Sequence, residues 1–285
     1  MLVTVAEAVL AVLSGSAGQD AALATVVGRT GSAPQALGAK LLLFRDGRMI
    51  GTVGGGAIEA QVLDACHEAL RDGQCRTLQA HLVRDLAMCC GGSMEVFVEY
   101  LQPQARLVLI GGGHVAQALA PIAITVGFRV HVIEDREELL EHPAFQAAQR
   151  LAYDVDELDG ALDDVCEHDF VVITTRDHAR DELALAWFLE RPHRYLGMIG
   201  SKRKVHAILG RIVNKQQQLG RPLPDLRRIH APIGLALGGR TPAEIAISVV
   251  AELIAERHGG SGSSMNIVEK IMQTLAATGA SPQPE

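Results

Sequence analysis

The amino-acid sequence predicts an α/β protein, with a small mixed α/β N-terminal domain followed by a Rossmann-like parallel-sheet domain. Three observations carry that expectation. An all-apolar run over residues 107–110 enters the turn Gly111-Gly112-Gly113 and continues as a helical pattern, the strand, turn and helix of a dinucleotide-binding unit. Strand-like and helix-like segments then alternate to about residue 258, as parallel strands joined by crossover helices do. The first hundred residues lack that alternation. They carry a hairpin signal instead, Asp46-Gly47 between two apolar runs, because a tight hairpin turn needs the positive φ that glycine supplies.

In chain order, apolar periodicity places a helix over 2–13 and a strand over 22–27. Hairpin arms over 39–44 and 48–53 follow, then a helix opened by Gly54-Gly55-Gly56 and running to about 70, and strands over 76–82 and 94–101. Gln102-Pro103-Gln104 interrupts the pattern, since proline fixes φ and removes a ladder donor. The expected domains are therefore 1–102 and 103–258. The second has strands at 106–110, 129–133, 170–174 and 195–199, and helices at 113–126, 181–190 and from Lys202 onward. Thr241, Pro242 and Glu244 spell the capping box of its last helix, with Ile245, Val249, Leu253 and Ile254 expected on the buried face. Residues 259–285 read as a Gly/Ser linker and a short helix, with 281–285 expected to be disordered.

The bulk properties narrow the function classes. A chain of 285 residues, 48% hydrophobic and 21% charged, has room for two cores and the composition of a folded protein. No apolar stretch approaches the ~20 residues of a membrane-spanning helix, and the first residues lack a basic signal-peptide start; a cytoplasmic protein without membrane contact is expected. A net charge of −7 argues against a nucleic-acid partner. The five cysteines form no CxxC and no zinc-ligand spacing, so free thiols are expected.

Candidate binding residues gather at glycine turns and strand ends. Gly111 permits the tight turn, Gly113 lets the backbone approach a phosphate, and His114 follows at the helix start. Glu134 and Asp135 end the next strand, where a ribose-binding carboxylate belongs. Arg176 and His178, then Ser201, Lys202 and Arg203, follow later strands, and His230 lies in the loop Ile229-His230-Ala231-Pro232-Ile233-Gly234. Open α/β sheets bind ligands at the carboxyl ends of their strands, so these side chains are expected to form one polar rim over the first glycine turn. In the first domain, Gly54, Gly55 and Gly56 offer a second anion turn, Arg29 and Ser32 lie in the donor-rich loop 28–34, and Cys89-Cys90 precedes a strand. Each feature also has a plainer reading: glycine for backbone freedom, polar residues as helix caps, cysteines as small buried hydrophobes. An NAD(P)-binding oxidoreductase is the alternative, resting on the fingerprint and on Glu134 and Asp135. Against it, no Ser and Tyr-x-x-x-Lys set is found to place a proton donor beside a nicotinamide.

Taken in order, Thr30-Gly31-Ser32-Ala33-Pro34, Gly54-Gly55-Gly56, Cys90-Gly91-Gly92, Gly111-Gly112-Gly113-His114, Arg176-Asp177-His178, Gly197-Met198-Ile199-Gly200-Ser201 and His230-Ala231-Pro232-Ile233-Gly234 resemble the xanthine dehydrogenase accessory (XdhC/CoxI) family over about residues 22–257. The resemblance implies an accessory domain before a Rossmann-like domain, and a maturation factor rather than a catalyst. It implies binding of molybdopterin-form molybdenum cofactor, help with its sulfuration by a cysteine desulfurase, delivery to apo xanthine dehydrogenase or a related molybdenum hydroxylase, and a homodimer. It further implies that Cys90 contacts the cofactor or its sulfur and serves as the metal ligand, a thiolate being a soft donor. Capture of the cofactor in a cleft between the two domains is the expected mode.

Overall fold

The structure, a computed structural model, describes residues 4–31, 35–81 and 92–278. It contains two sheets. The first is antiparallel, in the order β3-β2-β1-β5-β4, from β1 (Ala21–Thr30), β2 (Lys40–Phe44), β3 (Met49–Gly51), β4 (Arg76–His81) and β5 (Ser93–Leu101). Helix α1 (Val5–Leu13) covers one face, burying Ala8 and Val12 against Ala21, Leu23 and Phe44. Helix α2 (Gly56–Asp72) covers the other with Ile58, Val62, Cys66 and Ala69. This small mixed α/β unit is the expected N-terminal domain.

The second sheet is parallel, in the order β11-β10-β9-β6-β7-β8: β6 (Arg106–Ile110), β7 (Arg129–Ile133), β8 (Gln149–Leu151), β9 (Phe170–Ile173), β10 (Tyr195–Met198) and β11 (Ile229–His230). The chain starts at β6 in the middle, works out to β8, then returns to β9 on the other side of β6. That reversal puts a topological switch point between β6 and β9. Helices α3 (His114–Thr125) and α8 (Pro242–His258) share one face with Leu107, Phe128, Phe170 and Tyr195. The short α4 (Glu137–Leu140) and α5 (Leu158–Ala161) lie in the connections around β8, while α6 (His178–Leu189) and α7 (Lys202–Gln218) pack on the opposite face with Val108, Ile110, Phe188 and Ile208. α9 (Val268–Thr278) ends the described chain beyond the Gly/Ser run.

The capping box on α8 is formed, Glu244 N–H donating to Thr241 Oγ1 at 3.3 Å and Thr241 N–H to a Glu244 carboxylate oxygen at 2.9 Å. Its buried positions are Ala246, Val249, Val250 and Leu253, whereas Ile245 and Ile254 are only half-buried at the margin of the core. Ile229–His230, expected as loop, is an edge strand, and β8 carried no sequence expectation at all.

Candidate functional site

The carboxyl edge of the parallel sheet is organised around Gly111. Its φ is +106°, and a Cβ there would lie 2.6 Å from the carbonyl oxygen of Thr174. The end of β6 and the residue after β9 therefore touch backbone to backbone, which only glycine allows. Thr174 N–H donates to Ile110 O and Gly111 N–H to Ile133 O, both at 2.8 Å, locking the turn between its neighbours. Gly113 then caps α3 with no side-chain hydrogen bond, and a Cβ at Gly113 would meet only open space. Among α1, α2, α3, α6, α7 and α8, only the two glycine-capped helices α2 and α3 lack a side-chain cap; Thr4, Asp177, Ser201 and Thr241 cap the others. Uncapped amides at a helix start favour an anion.

The uncapped end of α3 opens into a cleft of about 430 Å³ lined by Gly113, His114, Gln117, Arg136, Thr175 and Arg176, among others. His114 is exposed there. Glu134, only 4% exposed, turns inward: it accepts Gly112 N–H at 2.7 Å and the Arg136 guanidinium at 2.8 and 3.0 Å. Asp135 takes both arms of Arg176. That bidentate contact holds the Asp135 carboxyl well below the usual carboxylate range, against the opposing effect of burial. Both acids at the end of β7 are thus paired with arginines of the same edge, Glu134 buried and Asp135 still 27% exposed.

The expected single rim is only partly assembled. Arg176 lines the cleft beside His114, but His178 is an exposed first residue of α6 and Ser201 is the cap of α7, accepting Lys204 N–H at 3.2 Å. Lys202 lines a separate cleft of about 360 Å³ with Pro232, Leu235 and Gly238. His230 corrects the expectation most clearly. Its ring lies 4.3 Å from that of Tyr195, and its Nδ1 is 3.0 Å from Glu252, on the sheet face that α8 covers. Glu252 also accepts Tyr195 O–H at 2.5 Å and Gly234 N–H at 2.6 Å. Burial acts to raise its pKa, but the hydrogen bonds from His230, Tyr195 and Gly234 together hold it below the ordinary value. His230 therefore helps anchor the 230–234 loop.

Sequence reasoning missed Glu252, although a carboxylate within the apolar stripe of Val249, Val250 and Leu253 was a signal. It also missed Asp181, fully buried, which accepts Thr175 N–H and Oγ1–H and pairs with Lys204. That pair holds the residue next to Arg176.

In the N-terminal domain the glycine turn has three successive positive-φ residues, Gly54, Gly55 and Gly56. Glu59 reaches back to it, accepting Thr52 O–H and the amides of Val53 at 3.2 Å and Gly55 at 3.3 Å. The Thr52 hydroxyl is the largest influence lowering the Glu59 pKa; burial opposes it and the two amides assist. Arg29 is exposed at the same sheet edge, near Thr30, whose hydroxyl meets Ser93 Oγ at 2.8 Å. Ser32, Cys89 and Cys90 lie outside the described residues. Among the described residues no group of three or more His, Cys, Asp or Glu is placed to hold a metal ion, and no helix is long and apolar enough to cross a membrane.

The two groups of candidates lie in separate domains. β5 runs from Ser93 at the Arg29 edge to Leu101, a span of roughly 27 Å at about 3.3 Å per residue. At that far end the domains meet, where Gln104 N–H donates to Leu13 O at 3.1 Å and Arg129 to Ser14 O at 2.9 Å. β6 then climbs away from this junction to the glycine turn. The first domain abuts the amino edge of the parallel sheet, while the cleft opens on its carboxyl edge.

These features define a Rossmann-like domain with an anion-type cleft at its switch point, preceded by a small antiparallel-sheet domain. The sequence matches the XdhC Rossmann domain over residues 107–253 and the XdhC and CoxI family over residues 15–81, and the chain belongs to the XdhC family. It is 34% identical over 250 residues to the uncharacterized protein YqeB of Escherichia coli K12, covering 86% of this chain and 45% of that protein. It is 28% identical over 163 residues to a probable xanthine dehydrogenase subunit of Bacillus subtilis 168, covering 57% and 46%. To the molybdenum cofactor insertion chaperone PaoD of E. coli K12 it is 26% identical, with 84% of each chain covered. The chain thus spans just under half the length of the first two relatives. The names of two of these relatives refer to xanthine dehydrogenase and to molybdenum cofactor insertion.

Proposed function

We propose that this chain binds the molybdenum cofactor in its molybdopterin form and carries it to apo xanthine dehydrogenase or a related molybdenum hydroxylase. The observation that carries this reading is the uncapped start of α3. The amides of Gly113, His114 and Val115 open into a cleft of about 430 Å³ whose wall includes Arg136 and Arg176. Backbone amides and guanidinium groups are the donors a phosphate monoester requires. Each arginine has five N–H groups and gives two of its nitrogens to Glu134 or Asp135, so donors remain for a ligand. The cofactor is cargo: the site must hold its phosphate, then let it go, and carboxylates already seated beside the turn favour release.

The finer parts of the reading concern the first domain. Cys90 supplies a soft thiolate to the metal or its sulfur during sulfuration with a cysteine desulfurase, with Arg29, Ser32 and the Gly54–56 turn as further donors to the ligand. The molybdenum-chaperone name of one relative and the dehydrogenase name of another support the direction of the proposal. The test is transfer. The purified protein, loaded with cofactor, is mixed with the apo hydroxylase, and return of hydroxylase activity is followed. Activity restored by the loaded protein is the expected result. Restoration by free cofactor but not by the loaded protein would overturn the reading.

A further inference from the structure

We infer that Arg176 and Arg180 close the half of the Rossmann cleft where the second nucleoside of a dinucleotide would lie, so that the site takes a ligand ending in its phosphate and refuses one that continues through it. The inference deepens the cofactor-carrier reading above, on which its ligand class rests, and names the side chains that set that class. In an open sheet of this kind a dinucleotide straddles the switch point, its pyrophosphate on the glycine turn and one ribose at the carboxylate that ends the next strand. Here those places are the turn after β6 and Asp135 after β7. The two sides of the turn differ. Toward α3 the cleft of about 430 Å³ is open. Toward the ends of β7 and β8, among Gly111, Glu134, Asp135, Tyr153, Arg176 and Arg180, a volume of about 10 Å³ remains. That is room for about one water molecule, far below the ~300 Å³ or more of a small-molecule pocket.

The filling comes from across the sheet. Arg176 follows β9, and β6 lies between β9 and β7. Its guanidinium therefore passes the end of β6 to reach Asp135, giving Nη2 to one carboxylate oxygen at 2.7 Å and Nη1 to the other. Asp135 keeps 27% of its side chain exposed, yet both of its oxygens accept from that one fork, and an oxygen there is what a ribose hydroxyl would need. Arg180, in the first turn of α6, reaches further. Its Nε and Nη2 donate to Asp154, just beyond β8, at 3.1 and 2.6 Å, and its Nη1 to Asp177 at 3.1 Å. Arg180 also lies 3.9 Å from Asp135, and Arg176 3.6 Å from Glu134. A lone surface ion pair holds little. Here two guanidinium groups share four carboxylates, and the paired N–H contacts fix the plane of each group as well as its distance.

Arg176 thus acts differently on the two ends of a ligand. It lines the α3 side of the turn, where its remaining N–H groups can meet a phosphate, and it walls off the β7 side. A phosphate monoester ends in terminal oxygens that helix amides and a guanidinium satisfy. A dinucleotide has to continue past the turn. To do so it must displace both forks and leave Asp135 and Asp154 side by side without their cations, next to its own pyrophosphate.

Removing the two side chains tests the inference, because the expected sign opposes simple charge. Arg180→Ala and Arg176→Ala/Arg180→Ala are checked for native melting and titrated with NADH, followed by nicotinamide fluorescence. Wild type is expected to show no saturable binding at millimolar NADH. The double variant is expected to bind it at least about 10-fold tighter, although it has lost two cations that would attract the pyrophosphate. Arg180→Ala should fall between them. After loading with cofactor released from a denatured molybdenum hydroxylase, Arg180→Ala should also keep the wild-type content of oxidised pterin, since Arg180 does not line the α3 side. Saturable NADH binding by wild type would overturn the inference, as would a natively melting double variant that binds NADH no better than wild type. Should the double variant not melt natively, the absence of any gain in Arg180→Ala has the same force. Wild type that takes up no pterin sinks the carrier reading alone, because the NADH titration needs no cofactor.

Discussion

Glu134 accepts the amide of Gly112 at 2.7 Å, so the carboxylate that ends β7 sits inside the turn that ends β6. A charge built into the protein thus occupies part of the place where a ligand's anion would go. Neutralising it should strengthen phosphate binding, because Arg136 is then relieved of one charge-assisted pair. Glu134→Gln is expected to tighten phosphate-monoester binding about 5-fold, equivalent to roughly 1 kcal/mol. Equilibrium dialysis with the cofactor checks this, and weaker binding in the variant contradicts it.

The close contact between Gly111 and Thr174 leaves no room for a Cβ. Gly111→Ala combines a positive φ with a clash against backbone, and should lower stability by about 2–3 kcal/mol. Gly113→Ala, with φ −70° and open space around it, should change stability by less than about 1 kcal/mol. Urea melts of the pair separate the geometric requirement from a general preference for glycine.

At the amino edge, Arg106 is buried and bonded to Asp169 at 2.8 and 2.6 Å and to Asp164 at 2.6 Å. Burial works to lower the Arg106 pKa, but the carboxylates together raise it above the ordinary value. Removing Asp169 leaves the buried Arg106 charge with only the largely exposed Asp164 as counter-charge, so Asp169→Asn should cost up to about 3 kcal/mol. Arg106→Met with Asp169→Leu should cost less than Asp169→Asn by itself. A double variant that melts lower than the single would contradict this account.

His131 lies on the same face, 5% exposed, with Nε2 unpartnered. Burial first, then the nearby Arg106 and Arg129, push its pKa down to about 4 from an ordinary 6.5. The folded state therefore binds this proton less readily than the unfolded chain. The stability supplied by keeping His131 neutral is complete above pH 6.5 and is lost as the pH falls toward 4, by up to about 3 kcal/mol. His131→Phe should remove that part of the slope between pH 6.5 and 4 in chemical denaturation. An unchanged slope would exclude His131 as its source.

Much of the fold was legible because hydrophobic period and turn chemistry agreed. The runs at 106–110 and 129–133 coincide with β6 and β7, and the Thr241 box marks the start of α8. β8 and β11, at three and two residues, are too short to leave a periodic signal and exist through pairing with β7 and β10. Side-chain direction was less legible. His230 pairs in register with Gly197 and so shares the Tyr195 face, where Glu252 reaches it from α8. No local pattern reveals a partner that tertiary packing brings from 22 residues away. For the same reason two glycine turns with similar sequences could be recognised singly, while the carboxylates that occupy them, Glu59 at one and Glu134 at the other, were set by packing.

The most direct measurement of the central claim is the molybdenum and oxidised-pterin content of the protein isolated from a host that makes molybdopterin, compared with Gly113→Asp. The account predicts metal and pterin near one per chain in wild type and loss of most of both in the variant. Wild-type protein free of both, even after reconstitution with supplied cofactor, would contradict it.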